Sequence, residues 1–412
     1  LKKIIKDNAI VLLPVILKDI SSGGDILLIA DNRTYEAAGE GVDKVLVSNG
    51  FRVKTCLLQR KESLIPDEQA LGEILVAMEP GIEVLFAVGS GSITDLTRYV
   101  SSKLNKQFIA VPTAPSMDGY ASSVAPLTIH GFKQTLPAVS PVAIVADIGV
   151  LAGAPREMIL AGIGDLLGKY TSLADWKLGS IINGESYSQE IATEVRSTLD
   201  QMIAGLSSGI SDPVLIHNLM EALLVSGAAM QQWGNSRPAS GSEHHLAHFW
   251  EMQAALAGKK SHLHGTKVGV AVILIAGIYH RLFDLDIEQV KELIKRSTAE
   301  KEEGFTARVK KVYGPLASDV FVDLKGLYLD QEKRTARQLR IVENWELMKS
   351  WVKANLPTAG QIKNLMLRIG APVEPGEIGV DEAMVRLAFQ NAKEVRPRYT
   401  ILRLAEDIGW EF

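Results

Sequence analysis

Five of the eight histidines in this 412-residue chain fall between His244 and His264. Glu243-His244-His245-Leu246-Ala247-His248 reads as helix, so His244 and His248, four apart, share one face. His245 points about 100° away, given ~3.6 residues per turn. Ser261-His262-Leu263-His264-Gly265 reads as a turn ahead of a buried helix. Imidazoles concentrated in this way can ligate a divalent metal. The pattern is not His-Glu-x-x-His, which excludes that metalloprotease reading. Open Zn²⁺ sites commonly combine two or three histidines with a carboxylate. The carboxylate candidate is Asp165 in Gly162-Ile163-Gly164-Asp165-Leu166-Leu167-Gly168-Lys169-Tyr170. A charge among small and apolar residues needs a partner. A metal would supply one, and Lys169 at i+4 is the alternative. The single cysteine, Cys56, allows neither an internal disulfide nor a thiolate cluster, so a metal would rest mainly on His, Asp or Glu.

Three loops could hold other ligands. Gly89-Ser90-Gly91-Ser92-Ile93-Thr94-Asp95 follows an apolar run and opens a helical pattern. Glycines there allow close backbone approach, and unpaired N–H groups at a helix N-terminus bind phosphate oxygens. Thr94 stands where G-x-G-x-x-G has its third glycine, and a plain strand-to-helix turn is the alternative. Asp31 closes the first clear strand. A carboxylate there can take ribose hydroxyls and would repel a 2′-phosphate, which favours NAD over NADP. The alternative is an N-cap for the helix signalled by Asn32 and Thr34. Pro112-Thr113-Ala114-Pro115-Ser116-Met117-Asp118-Gly119-Tyr120 is stiffened by two prolines. It offers hydroxyls and a carboxylate to a polar ligand, or is simply rich in turns.

The elements that must position these groups alternate through the first ~150 residues, as βαβ units do. Residues 26–30, 51–58, 83–88, 108–111 and 143–147 read as strands. Helical spacing at 34–48, a helix opened by Pro66-Asp67-Glu68, and helical spacing at 92–103 separate them. This predicts a parallel sheet covered by helices, with a hairpin around His130-Gly131 in the long 112–141 segment. Beyond the boundary near 152 the strand pattern stops. Helical periodicity recurs at 189–204, 213–230, 243–257, 267–280, 287–299 and 334–354.

With 44 Lys plus Arg, 48 Asp plus Glu and a net charge of −4, the chain lacks the basic field of a nucleic-acid binder. Its 47% hydrophobic and 22% charged residues exclude disorder as a description of the whole. The longest apolar run, 268–279, falls short of the ~20 residues a membrane span needs and reads as a buried core helix. The start shows no signal-peptide pattern. One cysteine makes the cytoplasm the default compartment.

The loops 89–95 and 111–119, the stretch 161–176, Ser236-Arg237-Pro238-Ala239-Ser240-Gly241-Ser242-Glu243-His244-His245 and Leu263-His264-Gly265 together resemble the sn-glycerol-1-phosphate dehydrogenase family. That family lies within the iron-type alcohol dehydrogenase, glycerol dehydrogenase and dehydroquinate synthase superfamily. The motifs occur in order across roughly 25–280, and the last third of the chain carries none. The resemblance implies an α/β Rossmann-like domain at 1–152 and an all-α, metal- and substrate-binding domain at 153–412, as in dehydroquinate synthase. It implies NAD or NADP and one divalent metal (zinc, nickel or iron), interconverting dihydroxyacetone phosphate and sn-glycerol 1-phosphate. By motif, Asp165, His244 and His264 are the implied metal ligands. His245 is the alternative to His244, which is preferred because it shares a face with His248. Gly89, Ser90, Gly91, Ser92, Ile93 and Asp95 are implied to hold the pyrophosphate. Thr113, Ala114, Pro115, Ser116 and Ser122 are implied to contact the cofactor, and Asp118, His248 and Asp165 the substrate. His248 could relay the C2 proton. Arg237, Lys169 and Lys267 could meet the substrate phosphate, structural ion pairs being the alternative. A homodimer is the default assembly. The rival activities are a dehydrogenase of another small polyol such as glycerol, and a lyase like dehydroquinate synthase. A non-catalytic NAD-binding module is the third rival.

Overall fold

Residues 26–30 and 84–88 are continuous apolar runs, and each of their residues is buried on one face or the other of a sheet. Burial on both faces is the signature of parallel strands between helices. The computed structural model describes residues 1–412 apart from 22, 62, 130–131, 299 and 324–328. Its strands are β1 Lys2–Lys6, β2 Asp25–Asp31, β3 Val53–Leu58, β4 Ile82–Gly89, β5 Gln107–Pro112, β6 Val124–Ile129, β7 Phe132–Pro137 and β8 Ala143–Asp147. The helices that bear on function are α1 Leu13–Ile20, α2 Glu40–Ser48, α3 Gly91–Leu104, α4 Arg156–Leu167, α5 Lys169–Asn183, α6 Pro213–Trp233, α7 Ser242–Leu256, α8 His264–Phe283 and α9 Ile401–Ile408.

The chain parts into two compact units. The first is Leu1–Leu166 with Ser197–Gly234, and the second is Leu167–Arg196 with Asn235–Phe412. In the first unit six parallel strands run in the order β1-β8-β5-β4-β2-β3. Alternate residues Ile26, Leu28, Ala30, Val84, Phe86, Val88, Ile109, Val111, Ala143 and Val145 form one core with Leu13, Ile16 and Leu17 of α1 and Val42 and Leu46 of α2. The chain leaves β2 towards β3 on one side and returns to β4 on the other. The carboxyl ends of β2 and β4 therefore flank a topological switch point, where open α/β sheets bind ligands.

β6 and β7 pair antiparallel from Val124↔Pro137 to Ile129↔Phe132. This is the expected hairpin, although its tip at His130-Gly131 lies outside the described residues. β1 is a strand beyond the five expected from the sequence. The 34–48 helical stretch divides into Asn32–Thr34, a π-turn at Tyr35–Gly39, and α2. The 334–354 stretch is two helices, Gln331–Glu343 and Trp345–Asn355, parted at Asn344.

The second unit is helical among its described residues. Phe283 lies 4.7 Å from the ring of fully buried Trp345 and 6.2 Å from that of Tyr279. By length and composition α6 and α8 could cross a membrane. In fact 56% and 78% of their most apolar windows is buried inside the protein, so both serve as core helices.

Candidate functional site

The sheet gathers three of the sequence-predicted loops at one edge. Ile29 pairs with Ala87 and Gly89 with Pro112, so Asp31, Gly89 and Pro112 end neighbouring strands at one level. Thr113 N–H donates to Gly89 O (3.3 Å) and ties two of the loops together. α3 starts directly after Gly89, with Ser90 at its N-cap and no side-chain cap bond. Its first-turn amides are therefore not taken by a cap and point from the sheet edge, as an anion requires. A Cβ on Gly89 would fall 2.6 Å from Ile93 Cβ, so only glycine lets α3 pack so tightly on its strand. Ser92 is half-buried and Ile93 buried. Asp31 Oδ1 accepts from Arg33 N (2.9 Å) and Thr34 N (2.8 Å), and Thr34 closes a capping box. The N-cap reading of Asp31 thus describes its Oδ1.

Asp95 does something the motif did not suggest. It pairs with Arg98, whose guanidinium is fully buried. Arg98 donates to the carbonyls of Gly119 (2.6 Å), Tyr120 (2.8 Å) and Val124 (3.2 Å). The pair thereby fixes the exit of the 112–121 turn. Tyr120 Oη donates to Ala114 O at 2.5 Å and closes the turn on itself. Two glycines admit its backbone from outside. A Cβ on Gly162 of α4 would sit 1.8 Å from Pro115 O, and one on Gly227 of α6 would sit 2.5 Å from Asp118 O. Held this way, Asp118 Oδ2 accepts from Ser226 Oγ (2.8 Å) and Asp118 N–H donates to Asp165 Oδ2 (3.2 Å). Asp165 is buried, Thr113 nearly so and Asp118 half-buried. Ser122 Oγ accepts from Val124 N at 3.1 Å at the head of β6.

In the second unit α7 and α8 bring three imidazoles together. The ring centroids of His244 and His264 are 5.2 Å apart, His248 and His264 4.9 Å, and His244 and His248 6.1 Å. α7 starts from Gly241, which has no side chain to cap it. Asp175 of α5 serves instead, accepting from Ser242 N and Oγ at 2.6 Å each. Its other oxygen accepts from Tyr279 Oη (2.6 Å) and from Ile401 N (2.7 Å), the first residue of α9. Burial, then the charge of Glu243, push its carboxyl up to about 6 against these hydrogen bonds. Glu243 is fully buried. Burial alone would raise its pKa, but His244, Thr171 and the Gly241 amide outweigh that and hold it below the usual range.

Carboxylates meet two of the rings at Nδ1. His244 Nδ1 lies 2.7 Å from Glu243 Oε1, and His264 Nδ1 lies 2.8 Å from Glu251 Oε1. Such partners fix the tautomer and turn the Nε2 lone pair outward, the usual outer arrangement of a histidine metal ligand. The donor set therefore fits a divalent transition metal. His248, Glu251 and His264 also offer atoms within 4.8 Å of one another. There, however, Lys267 Nζ sits 2.9 Å from Glu251 Oε1, which opposes a cation at that place. His245 takes no part in the cluster. It is fully buried, and neither ring nitrogen has a hydrogen-bond partner among the described residues. Burial first, then Arg398 and Arg396, push its pKa well below the usual histidine value.

The three candidate phosphate cations are committed within the second unit. Arg237 pairs with Glu185 (2.6 Å), Lys267 with Glu251, and Lys169 Nζ donates to Ala239 O (3.0 Å). Cys56 is buried, and burial pushes its thiol up to about 11, so it offers no nucleophile. Arg98, Asp175 and Glu251 escaped the sequence reading. Only Glu251 had a local signal, its place three residues after His248.

Residues 4–155 match the model of the iron-containing alcohol dehydrogenases. The fold matches a probable glycerol dehydrogenase of Sinorhizobium meliloti with a TM-score of 0.62, at 16% identity over 99% of this chain and 95% of that one. Over 387 residues the chain is 35% identical to a glycerol-1-phosphate dehydrogenase [NAD(P)+] of Geobacillus thermodenitrificans, covering 92% of this chain and 85% of the relative. A protein of the same name from Halalkalibacterium halodurans is 33% identical over 386 residues, again 92% and 85%. Identity at that level, sustained over most of both chains, leaves one conclusion: the chain belongs to the glycerol-1-phosphate dehydrogenase family.

Proposed function

We propose that this protein is an NAD(P)-dependent oxidoreductase interconverting dihydroxyacetone phosphate and sn-glycerol 1-phosphate, with one divalent metal. The observation that carries the reading is the convergence of His244, His248 and His264 in a chain of this family. Residues 1–152 serve as the dinucleotide-binding domain and 153–412 as the metal- and substrate-binding domain. The metal, when bound, supplies Lewis acidity at the C2 oxygen, and the nicotinamide supplies or takes the hydride. Everything else falls to the chain. Asp165, His244 and His264 hold the metal, be it zinc, nickel or iron. The first-turn amides of α3, reached past Gly89 and Gly91, bind the pyrophosphate with Ser90, Ser92, Ile93 and Asp95 around them. Asp31 accepts ribose hydroxyls, which favours NAD over NADP. Thr113, Ala114, Pro115, Ser116 and Ser122 contact the cofactor.

Asp118, pinned by Ser226, orients the substrate. His248 faces Glu251 with Nδ1, which leaves Nε2 to hold or release the proton at the C2 oxygen. The protein acts in the cytoplasm as a homodimer, the commonest closed assembly. Light scattering checks the dimer.

The test is NADH oxidation with dihydroxyacetone phosphate in the presence of Zn²⁺, Ni²⁺ or Fe²⁺, with the product's stereochemistry determined. The expected product is sn-glycerol 1-phosphate. Unphosphorylated dihydroxyacetone should give a kcat/KM lower by at least ~100-fold, since the binding energy of the phosphate is lost from the transition state. A lyase would oxidise no net NADH, and a polyol dehydrogenase would prefer the unphosphorylated substrate. Either result overturns the reading.

A further inference from the structure

Glu251 is claimed by three side chains at once. Its Oε2 lies 3.2 Å from His248 Nδ1, and its Oε1 lies 2.8 Å from His264 Nδ1. The Lys267 ammonium is 2.9 Å from Oε1 and also donates to Ser261 Oγ at 2.6 Å. His248 and Glu251 are three apart on α7, and His264 and Lys267 are three apart on α8, so each pair shares a helix face. One carboxylate, 14% exposed, thus joins two helices and holds two imidazoles stacked at 4.9 Å and 21°.

A carboxylate can only accept hydrogen bonds. Each neutral imidazole that meets it through Nδ1 must therefore carry its proton there, which leaves Nε2 as the acceptor. Lys267, itself 4% exposed, balances the charge of Glu251 and keeps the carboxylate from acting as a rival ligand. We propose that Glu251 is a positioning residue. It holds His264 and His248 in the Nδ1–H tautomer, so that one presents Nε2 to the metal and the other presents Nε2 to the substrate oxygen. This rests on the metal-dependent reading above.

The experiment titrates the metal-free full-length protein with Zn²⁺ against a chromophoric chelator, and follows NADH binding separately by fluorescence. Glu251→Gln keeps one acceptor oxygen and can serve one ring, whereas Glu251→Leu serves neither. Loss of an outer partner typically weakens metal binding by ~10–100-fold. The expected result is a loss near the lower figure for Gln and the higher for Leu, with NADH affinity unchanged in both. Tight Zn²⁺ binding by the parent protein and equally tight binding by both variants overturns the role of Glu251 alone. A parent protein that binds no Zn²⁺ overturns the metal reading beneath it. Should a variant fail to fold, the parent protein labelled with ¹⁵N-histidine decides the matter. Its metal-free spectrum, assigned through single His→Gln replacements, should show Nδ1–H tautomers for His248 and His264. An Nε2–H tautomer at either residue overturns the proposal.

Discussion

An imidazole offers a metal one nitrogen at a time, and the partner of the other nitrogen decides which. Two adjacent histidines on α7 show the difference this makes. His244 has Glu243 on Nδ1 and the rings of His248 and His264 as neighbours. His245 is sealed in the unit's interior with neither nitrogen satisfied among the described residues. Replacing His264 or His244 with a non-ligating residue should therefore cost more than the ~10–100-fold of an outer partner, in bound metal and in turnover alike. NADH affinity should hold. Replacing His245 with Leu should leave the metal in place and cost little stability, because an unsatisfied buried polar group is removed with it. Metal analysis after dialysis checks the series, and full activity of His264→Ala would sink the site. The His244 and His248 pair was legible in the sequence because four residues make one helical face. Glu251 was not. An acid three residues after a histidine looks like a solvated pair, and its bonds to His264 and Lys267 exist only once α8 packs on α7.

Elements differ in legibility for a similar reason. β2 and β4 announce themselves because burial on both faces forbids polar positions, whereas β1 carries Lys2, Lys3 and Lys6 on a sheet edge that water reaches. The glycine turn before α3 was visible as a motif, yet what shapes the neighbouring turn was hidden in Arg98, which resembles any surface arginine on a helix. Its buried guanidinium meets Asp95 and three carbonyls. Arg98→Met should lower stability by about 3–5 kcal/mol, the usual result of stranding one partner of a buried pair. It should also raise KM for NADH and lower kcat together, since the turn it shapes carries Thr113 and Ser116 as well as Asp118, whose amide meets Asp165. Chemical denaturation and steady-state kinetics measure the two effects.

At the scale of the molecule, the residues proposed to bind the dinucleotide lie in one compact unit and the three imidazoles in the other. Stripping the metal with a chelator should therefore abolish turnover and leave NADH binding intact, by calorimetry on the same sample. Re-addition of Zn²⁺, Ni²⁺ or Fe²⁺ should restore activity. The division of the chain also has a consequence for its birth. The first unit is not one continuous stretch. All its strands are complete by Asp147, but α6, which supplies Gly227 and Ser226 to the Asp118 turn, comes only after residue 212. A ribosome that has released residues 1–166 has released a whole sheet with one wall of the Asp118 turn still unsynthesised. At ~5–20 residues per second that gap lasts several seconds. During that interval the turn around Asp118 lacks the backbone stop of Gly227 and the hydroxyl of Ser226, and it takes its final form only when α6 arrives.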